Sequence, residues 1–592
     1  MSIIVQKFGG TSVADTEKIL SAARKAIRTQ QQGHQVVMVV SAMGKNTDLL
    51  VSLAGEINDK PPAREMDMLL STGEQVSVAL MAMAIDSLGY KGVSLTGAQI
   101  GIKTDSIHTK ARIRSISTER MQKLLDDGNI VIAAGFQGID EDFNITTLGR
   151  GGSDTTAVAL AAVLGAQACE IYTDVDGIYT TDPRLLPEAR RVKRISYDEM
   201  LELASLGASV MHNRSIEFAK KYNVPIHVRS SFSDGPGSFI VVASESETSA
   251  VCGAAMTKDE ARVSVLGVPD RPGVSLEIFA EIAARNITVD MIVQNVGENG
   301  KADISFTVPR NELDVTLQAL NQSASEIGAE SIQHDDNVSK ISVVGVGMAD
   351  QTGVADKMFS ALATAGINIH MITTSEIKIS VLVERDKAQA ALRAVHQTFD
   401  LDKEPLSISE DTPFAPSKAD AADVVTGLRG EDMEQLIIDR IDLDELQARV
   451  TISGVPDTPG VAAQVFEQVA AAGIFVDMIV QSFHGTQGSA TLSFTVPKTE
   501  LDKSVQVAES LAKKFACKQV TSCHDVAKLS VSGVGLRSHT GVAIRMFAAL
   551  STEGINVQMI NTSEVRVNVI VDGAKGRQAL DSLQNAFGDA LR

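Results

Sequence analysis

The stretch IIVQKFGGTSV, Ile3 to Val13, decides how the first half of the chain folds. Apolar residues run into Lys7, the pair Gly9 and Gly10, and two hydroxyls, and a helical pattern, TEKILSAARKAI, follows from Thr16. A strand that ends in Gly-Gly-Thr-Ser and opens a helix makes a turn crowded with backbone N–H groups. Helix N-termini carry unpaired donors and partial positive charge, so such a turn receives anions. Lys7 would set a point charge on oxygens that gain negative charge during a transfer reaction. The pattern GxxxxGK[ST] is absent, which argues against a P-loop fold.

Outward from that turn, β-rich runs (QVVMVVSAM, NIVIAAGF, ACEIYTDV, VPIHVRSS) alternate with Ala-rich helical stretches as far as about Val242. This alternation predicts an α/β fold, a mostly parallel sheet between helices. Such sheets bind ligands at the carboxyl ends of their strands. KFGGTS, SAMGKNT and TDVDGIYTTDPR all fall at such ends. A second Gly-rich turn, in TTLGRGGSDTTAVALAAVLGA, opens a helix at about Ser153. An N-cap by Ser153 or Asp154 would account for the turn alone. Arg150 beside Gly151 and Gly152 points further, because a guanidinium grips a carboxylate bidentately and glycines let the ligand come close. Glu74 stands near the start of an Ala/Met-rich helix, where it either complements the helix dipole or holds an ammonium group. TDVDGIYTTDPR reads as a turn or as a nucleotide contact.

The 592 residues, 44% of them apolar, can bury several cores, roughly three to five domains. A net charge of −20 with no basic stretch excludes nucleic-acid and anionic-membrane binding as working readings. No apolar run approaches a membrane span, and MSIIVQKF lacks the pattern of a signal peptide. Cys169, Cys252, Cys517 and Cys523 form no CxxC pair and match no His spacing, which suits reduced thiols in the cytoplasm and no metal centre.

The second half repeats itself. VSVLGVPDRPGV near 263 returns as VTISGVPDTPGV near 450, and INIHMITTSEIKISVLV at Ile367 returns as INVQMINTSEVRVNVIV at Ile555. A fainter repeat inside each copy, VSVLGVPDRPGV against ISVVGVGMADQTGV, makes four related units in two consecutive pairs. Between the pairs, DKEPLSISEDTPFAPSKADAAD is acidic and Pro/Ser-containing, as a linker would be. The expected divisions are a catalytic domain at 1–245, units at 246–335 and 336–400, linker and start of the second pair at 401–445, and units at 446–525 and 526–592.

KFGGTSV, SAMGKNTDLL, MLLSTGEQVS, TTLGRGGSDTTAVALAA and EIYTDVDGIYTTDPR together resemble the aspartokinases of the amino-acid kinase superfamily, in order and spacing. The repeated units resemble ACT domains, βαββαβ modules that bind amino-acid effectors, and the doubled pair is similar to the cyanobacterial arrangement. The resemblance implies phosphorylation of the aspartate side-chain carboxylate by MgATP to 4-phospho-L-aspartate, the first step toward lysine, threonine and methionine. No tightly bound prosthetic group is implied. It gives Lys7 and Asp154 the catalytic roles, with Lys7 on the transferring phosphoryl group. It places aspartate on Ser41, Thr47, Glu74, Arg150, Gly151, Gly152 and Ser153, with Glu74 on its amino group and Arg150 on a carboxylate. The nucleotide would lie against Lys7, Phe8, Gly9, Gly10, Thr173, Asp174, Tyr179, Asp182 and Arg184. One position departs from the family pattern: Ser209 stands where many relatives carry a nucleotide-contacting lysine.

In PDRPGV and PDTPGV a Pro-Gly turn precedes a helix, so Asp270, Gly273, Val274 and Ser275, and Asp457 with Gly460, are expected to receive an effector carboxylate. Gln294, Asn368, Ile369, Ser375 and Glu376 would complete the site in the first pair; Gln481, Asn556, Val557, Ser563 and Glu564 would do so in the second. Lysine and threonine are the expected effectors, and the chains are expected to form homodimers or larger assemblies through these domains. Deleting the second pair from about residue 420 is expected to change effector response more than chemistry. Two other readings stand beside this one: a glutamate kinase or similar acyl-phosphate-forming enzyme, and a catalytically silent amino-acid sensor.

Overall fold

Eight strands form the first sheet of the computed structural model. Their order is Arg194–Ser196, Ser238–Val241, Ile226–Ser230, Ala168–Thr173, Ile3–Phe8, Gln35–Val40, Ile130–Ala134 and Gly92–Leu95. The structure describes residues 1–207, 210–245, 249–296, 300–348, 351–405, 432–484, 488–536 and 541–591. Ser209 and most of the expected linker lie outside the described residues.

Neighbouring strands of this sheet run parallel except where Ile226–Ser230 meets Ser238–Val241. Val36 to Val40 are fully buried, as the interior of a sheet covered on both faces requires. The helix Gly152–Val163 is buried along its whole length, which suits the apolar run Ala157–Val163 after its polar first turns. The helix Ala63–Ser87 is long and apolar enough to cross a membrane. Here Val78, Met81, Ala84 and Ile85 pack on Met38, Ile130 and Ile132, and Asp67 and Glu74 are buried on it, so it is a core helix of the domain.

Four further units share one twelve-stranded sheet. Two strands explain its layout. Gly253–Pro269 pairs its first residues with Ser331–Val344 and its last with Lys301–Pro309, so it serves two units in succession. Ile437–Pro456 repeats this with Gln519–Val534 and Ser489–Pro497. The expected division at 445/446 therefore falls inside one continuous strand, because the fourth unit takes its first strand from residues that precede the third.

The units also meet across the two pairs, unlike the expected grouping of Gln294 with Asn368 and of Gln481 with Asn556. The second and third units join edge to edge, Ile372 opposite Gln481 and Thr373 opposite Val480. The first and fourth units hold the two opposite ends of the strand order and approach each other, the Thr562 hydroxyl donating to the Asp290 carbonyl at 2.9 Å. Near the middle, Asn295 Nδ2 donates to the Ser482 hydroxyl at 2.7 Å and Thr373 donates to Asn561 Oδ1 at 3.2 Å.

The two halves are knitted together by buried polar contacts. Glu202, on the helix Tyr197–Ser205, takes Lys378 Nζ at 2.7 Å and the Glu564 N–H at 2.9 Å. Glu199 on the same helix accepts the Val346 N–H at 3.1 Å. Met433, just ahead of the fourth unit's first strand, is buried in the catalytic domain's own core. Its N–H donates to the Arg114 carbonyl, and its carbonyl accepts the Tyr222 hydroxyl. Removal of everything from residue 420 would thus take a side chain out of the catalytic core.

Candidate active site

Lys7 lies near the carboxyl end of a central strand, paired with Val39 on one side and Ile171 on the other. Two hydrogen-bonded neighbours fix its backbone, so its ammonium group is aimed by the sheet. That group meets Asp154 Oδ1 at 2.5 Å, with both side chains 12% exposed. Asp154 belongs to the first turn of the helix Gly152–Val163, whose N-cap, Gly151, has left-handed backbone (φ 71°) and no side-chain cap. A Cβ on Gly151 would stand 2.3 Å from that of His212, so the turn admits glycine alone. Gly10 is fixed in the same way, since its Cβ would meet the Ala42 carbonyl at 2.8 Å.

These elements surround an open cavity of about 1460 Å³. Lys7, Gly10, Ser41, Thr47, Glu74, Arg150, Gly151, Gly152, Ser153 and Asp154 all line it, so residues far apart in the chain reach one place. Glu74 is 4% exposed; its Oε1 accepts the Ala42 N–H at 3.0 Å, and its buried Oε2 has no hydrogen-bond partner. Burial pushes its carboxyl up to about 7, against the smaller opposing effect of the Ala42 N–H. An under-satisfied carboxylate on the wall of a polar cavity calls for a cationic ligand group.

The other expected residues lie outside this cavity. Phe8 is 1% exposed and stacks on Tyr172, with ring centroids 4.7 Å apart, so its side chain is a core element. Its carbonyl accepts the Ser41 N–H at 3.1 Å. Gly9 donates to the Tyr172 carbonyl at 3.4 Å. Thr173 ends the strand Ala168–Thr173 and Asp174 follows it, next to Lys7's strand and at the same carboxyl end. Tyr179 lies in the short strand Ile178–Tyr179, and Asp182 holds Arg184 with two parallel bonds of 3.0 and 2.8 Å. None of these seven lines the cavity itself.

Several lining residues escaped the motif reading: Asp48, Thr109, Lys110, Arg112, His212, Arg214 and Glu434. Thr109 has φ 66°, unusual for a β-branched residue, and its N–H is held by both oxygens of the buried Asp67. Asp67 also takes the Thr147 hydroxyl at 2.5 Å and His108 Nδ1 at 2.7 Å. Among the described residues, no group of three or more His, Cys, Asp or Glu is placed to hold a metal ion.

Residues 2–230 match the amino acid kinase family, and 261–324, 341–399, 450–511 and 529–587 match ACT domains. An aspartate kinase of Pseudomonas putida is 52% identical over 404 residues, which is 68% of this chain and 98% of that protein. The chain belongs to the aspartokinase family. It is a phosphotransferase, an aspartate kinase, with an amino-acid kinase domain followed by ACT domains. Among solved structures, an aspartate kinase from Synechocystis is 40% identical, covers 99% of this chain and 98% of its own, and has a TM-score of 0.52. The E. coli aspartokinase III in complex with aspartate and ADP is 25% identical over 67% of this chain and all of its own, with a TM-score of 0.57.

In this aspartokinase, several of the residues expected to receive an effector meet at the junctions between ACT domains. Asn556 Nδ2 donates to Asp270 Oδ1 at 2.6 Å, and Gln294 Nε2 donates to the Val557 carbonyl at 2.6 Å while its Oε1 accepts the Ser275 hydroxyl. The same pattern returns at the other junction: Asn368 Nδ2 to Asp457 Oδ1 at 2.7 Å, Gln481 Nε2 to the Ile369 carbonyl at 3.0 Å. Gly273 and Gly460 are left-handed N-caps of the helices Val274–Ala283 and Val461–Ala471, which seats Val274 at the start of the first helix. Each cluster therefore draws on both halves of the duplication, unlike the expected grouping within each pair. Ser375 and Glu376 line a separate cavity of about 370 Å³, and Ser563 and Glu564 one of about 140 Å³.

Proposed function

We propose that the 1460 Å³ cavity binds L-aspartate and the γ-phosphate end of MgATP, and that the enzyme makes 4-phospho-L-aspartate under feedback control by end-product amino acids. The observation that carries this reading is the convergence of Lys7, Asp154, Glu74 and Arg150 on one cavity at a helix N-terminus. Glu74 offers its unsatisfied oxygen to the substrate ammonium, and Arg150 with the Gly151–Ser153 turn takes a carboxylate. Ser41 and Thr47 supply hydroxyls on the facing wall.

The chemistry needs no general base, because the acceptor carboxylate is already ionised at neutral pH. Its oxygen forms a bond to the γ-phosphorus, the bond from that phosphorus to the bridging oxygen breaks, and ADP leaves. Lys7 stabilises charge on the transferring oxygens, Asp154 keeps the ammonium in place, and Mg²⁺ enters with the nucleotide. The nucleotide body extends over the neighbouring strand end, toward Thr173, Asp174, Tyr179 and the braced Arg184. Hydroxylamine trapping of the acyl phosphate, run with aspartate and glutamate in parallel, tests the reading. Equal rates with both acceptors would point to a glutamate kinase, and no product with either to a silent sensor.

Feedback has its own site in this proposal. The 370 Å³ cavity is lined by Asp356, Glu376, Asp444 and Asp477, with Lys528 the one cation among its described lining residues; Lys528 pairs with Asp477 at 2.5 Å and Arg566 pairs with Glu376. That excess of carboxylates suits a cationic amino acid such as lysine, with threonine at the junction clusters around Asp270 and Asp457. Glu564 connects these domains to catalysis: its Oε2 accepts Asn213 Nδ2 at 3.0 Å, beside His212 on the catalytic cavity wall. Ser375→Ala and Glu376→Ala should raise the lysine concentration needed for half-inhibition about tenfold, within a coupling of about 1–3 kcal/mol, while uninhibited kcat stays within twofold. Inhibition curves that overlay wild type in both variants would remove this cavity from the regulatory scheme. The chain is proposed to self-associate through its ACT domains, beside the junctions that these domains make within one chain; sedimentation measures it. The acidic, biosynthetic character of the enzyme keeps the cytoplasm as its proposed location.

A further inference from the structure

Arg214 is the hub of the cavity's far wall. Its Nη1 donates to the Leu148 carbonyl at 2.5 Å and its Nη2 to the Ala111 carbonyl at 2.6 Å. Leu148 begins the turn that carries Arg150 and the glycines, and Ala111 precedes Arg112, another lining residue. One guanidinium therefore ties two segments of wall together.

What holds Arg214 comes from elsewhere in the chain. Glu434 accepts Arg214 Nε at 2.5 Å and Nη2 at 2.6 Å, a two-pronged pair with the side chains 14% and 8% exposed. The same carboxylate accepts the Ile113 N–H at 2.7 Å. Glu434 stands between Met433, locked in the catalytic core, and Gln435, whose carbonyl takes Lys221 Nζ at 3.1 Å. The strand Ile437–Pro456 of the second regulatory pair begins three residues further on. A carboxylate that arrives from the regulatory half thus completes the substrate cavity.

We propose that Glu434 is a positioning residue for catalysis: through Arg214 it sets the Leu148–Gly152 turn, and with it the grip of Arg150 on aspartate. This rests on the reading that the Arg150 side of the cavity is the aspartate side. A bidentate, largely desolvated guanidinium–carboxylate pair imposes geometry as well as attraction, and small displacements of a binding group cost affinity steeply.

The test compares full-length Glu434→Gln, Glu434→Asp and Arg150→Ala with wild type, measuring KM for aspartate, KM for ATP, kcat and melting temperature. Glu434→Gln should raise the aspartate KM about tenfold with the ATP KM within twofold. Glu434→Asp, which keeps the charge on a shorter arm, should recover part of the loss. A merely structural role would lower the melting temperature and the active fraction without separating the two KM values. If Arg150→Ala raises the aspartate KM and Glu434→Gln does not, the positioning role is overturned and the aspartate reading stands. If both variants raise the ATP KM instead, both readings fall. Should Glu434→Gln not fold, Arg214→Lys, which keeps the charge but loses the fork, takes the same measurements, and an unchanged aspartate KM there overturns the proposal.

Discussion

Lys7→Ala should lower kcat about a hundredfold or more and change both KM values little. The ammonium is held by the sheet on one side and by Asp154 at 2.5 Å on the other, and this preorganisation gives a charge in the active site its worth. Charge on the transferring phosphoryl oxygens grows toward the transition state, so the interaction is stronger there than with bound substrate. Removing one such donor costs on the order of 3 kcal/mol, and the loss falls on kcat because ground-state binding is spared. Steady-state kinetics at saturating aspartate and ATP measures it; a kcat within twofold of wild type would refute the assignment. Asp154→Ala should follow in the same direction, since an unpartnered Lys7 loses its aim.

Glu74→Gln should raise the KM for aspartate by roughly ten- to a hundredfold, the effect of losing a charged hydrogen bond worth roughly 1.5–3 kcal/mol. The ATP KM should stay put, and a shift in the ATP value instead would move Glu74 to the nucleotide side. The same residue predicts a pH dependence. Burial raises its carboxyl to about 7 in the empty enzyme, above the ordinary 4.5. An acid raised in this way binds more protons folded than unfolded, so its ionisation withdraws stability as pH climbs from about 4.5 to 7. A substrate ammonium needs the ionised form. Affinity for aspartate should therefore rise between pH 6 and 8, with proton release on binding below pH 7, and Glu74→Gln should lose both features. Calorimetry in buffers of different ionisation enthalpy reads the released proton directly.

The catalytic half was legible because its chemistry lies in contiguous turns. Lys7 with Gly10, and Arg150 with Asp154, are each local signals of a strand or turn feeding a helix, and the sheet brings them together at its carboxyl edge. Phe8 shows the limit of a motif: inside the same six-letter run, strand alternation sends its ring into the core against Tyr172. Asp67, Thr109 and Arg214 were not legible, because their roles depend on close approaches between distant segments. Glu434 was hidden further still, 220 residues from Arg214 in sequence. Nor could the repeats reveal which domain meets which. When copies share a pattern, apolar periodicity is satisfied by either partner, and only strand order distinguishes the first-with-fourth and second-with-third junctions.

Those junctions carry a consequence for how the enzyme responds to dilution. A clustering of ACT domains from separate chains would be assembled by mass action, and its effector affinity would weaken as protein concentration fell. Here both partners of each junction belong to one covalent chain, Asp457 facing Asn368 and Asp270 facing Asn556. A tether holds such partners at an effective concentration on the order of millimolar, far above cellular enzyme levels. The duplication also frees the two junctions to diverge, because each is encoded by its own residues: a substitution at Asp457 leaves Asp270 untouched. On the proposed reading that these junctions bind end products, a chain built this way would tune two sensitivities separately and keep both whether the cell makes much of the enzyme or little.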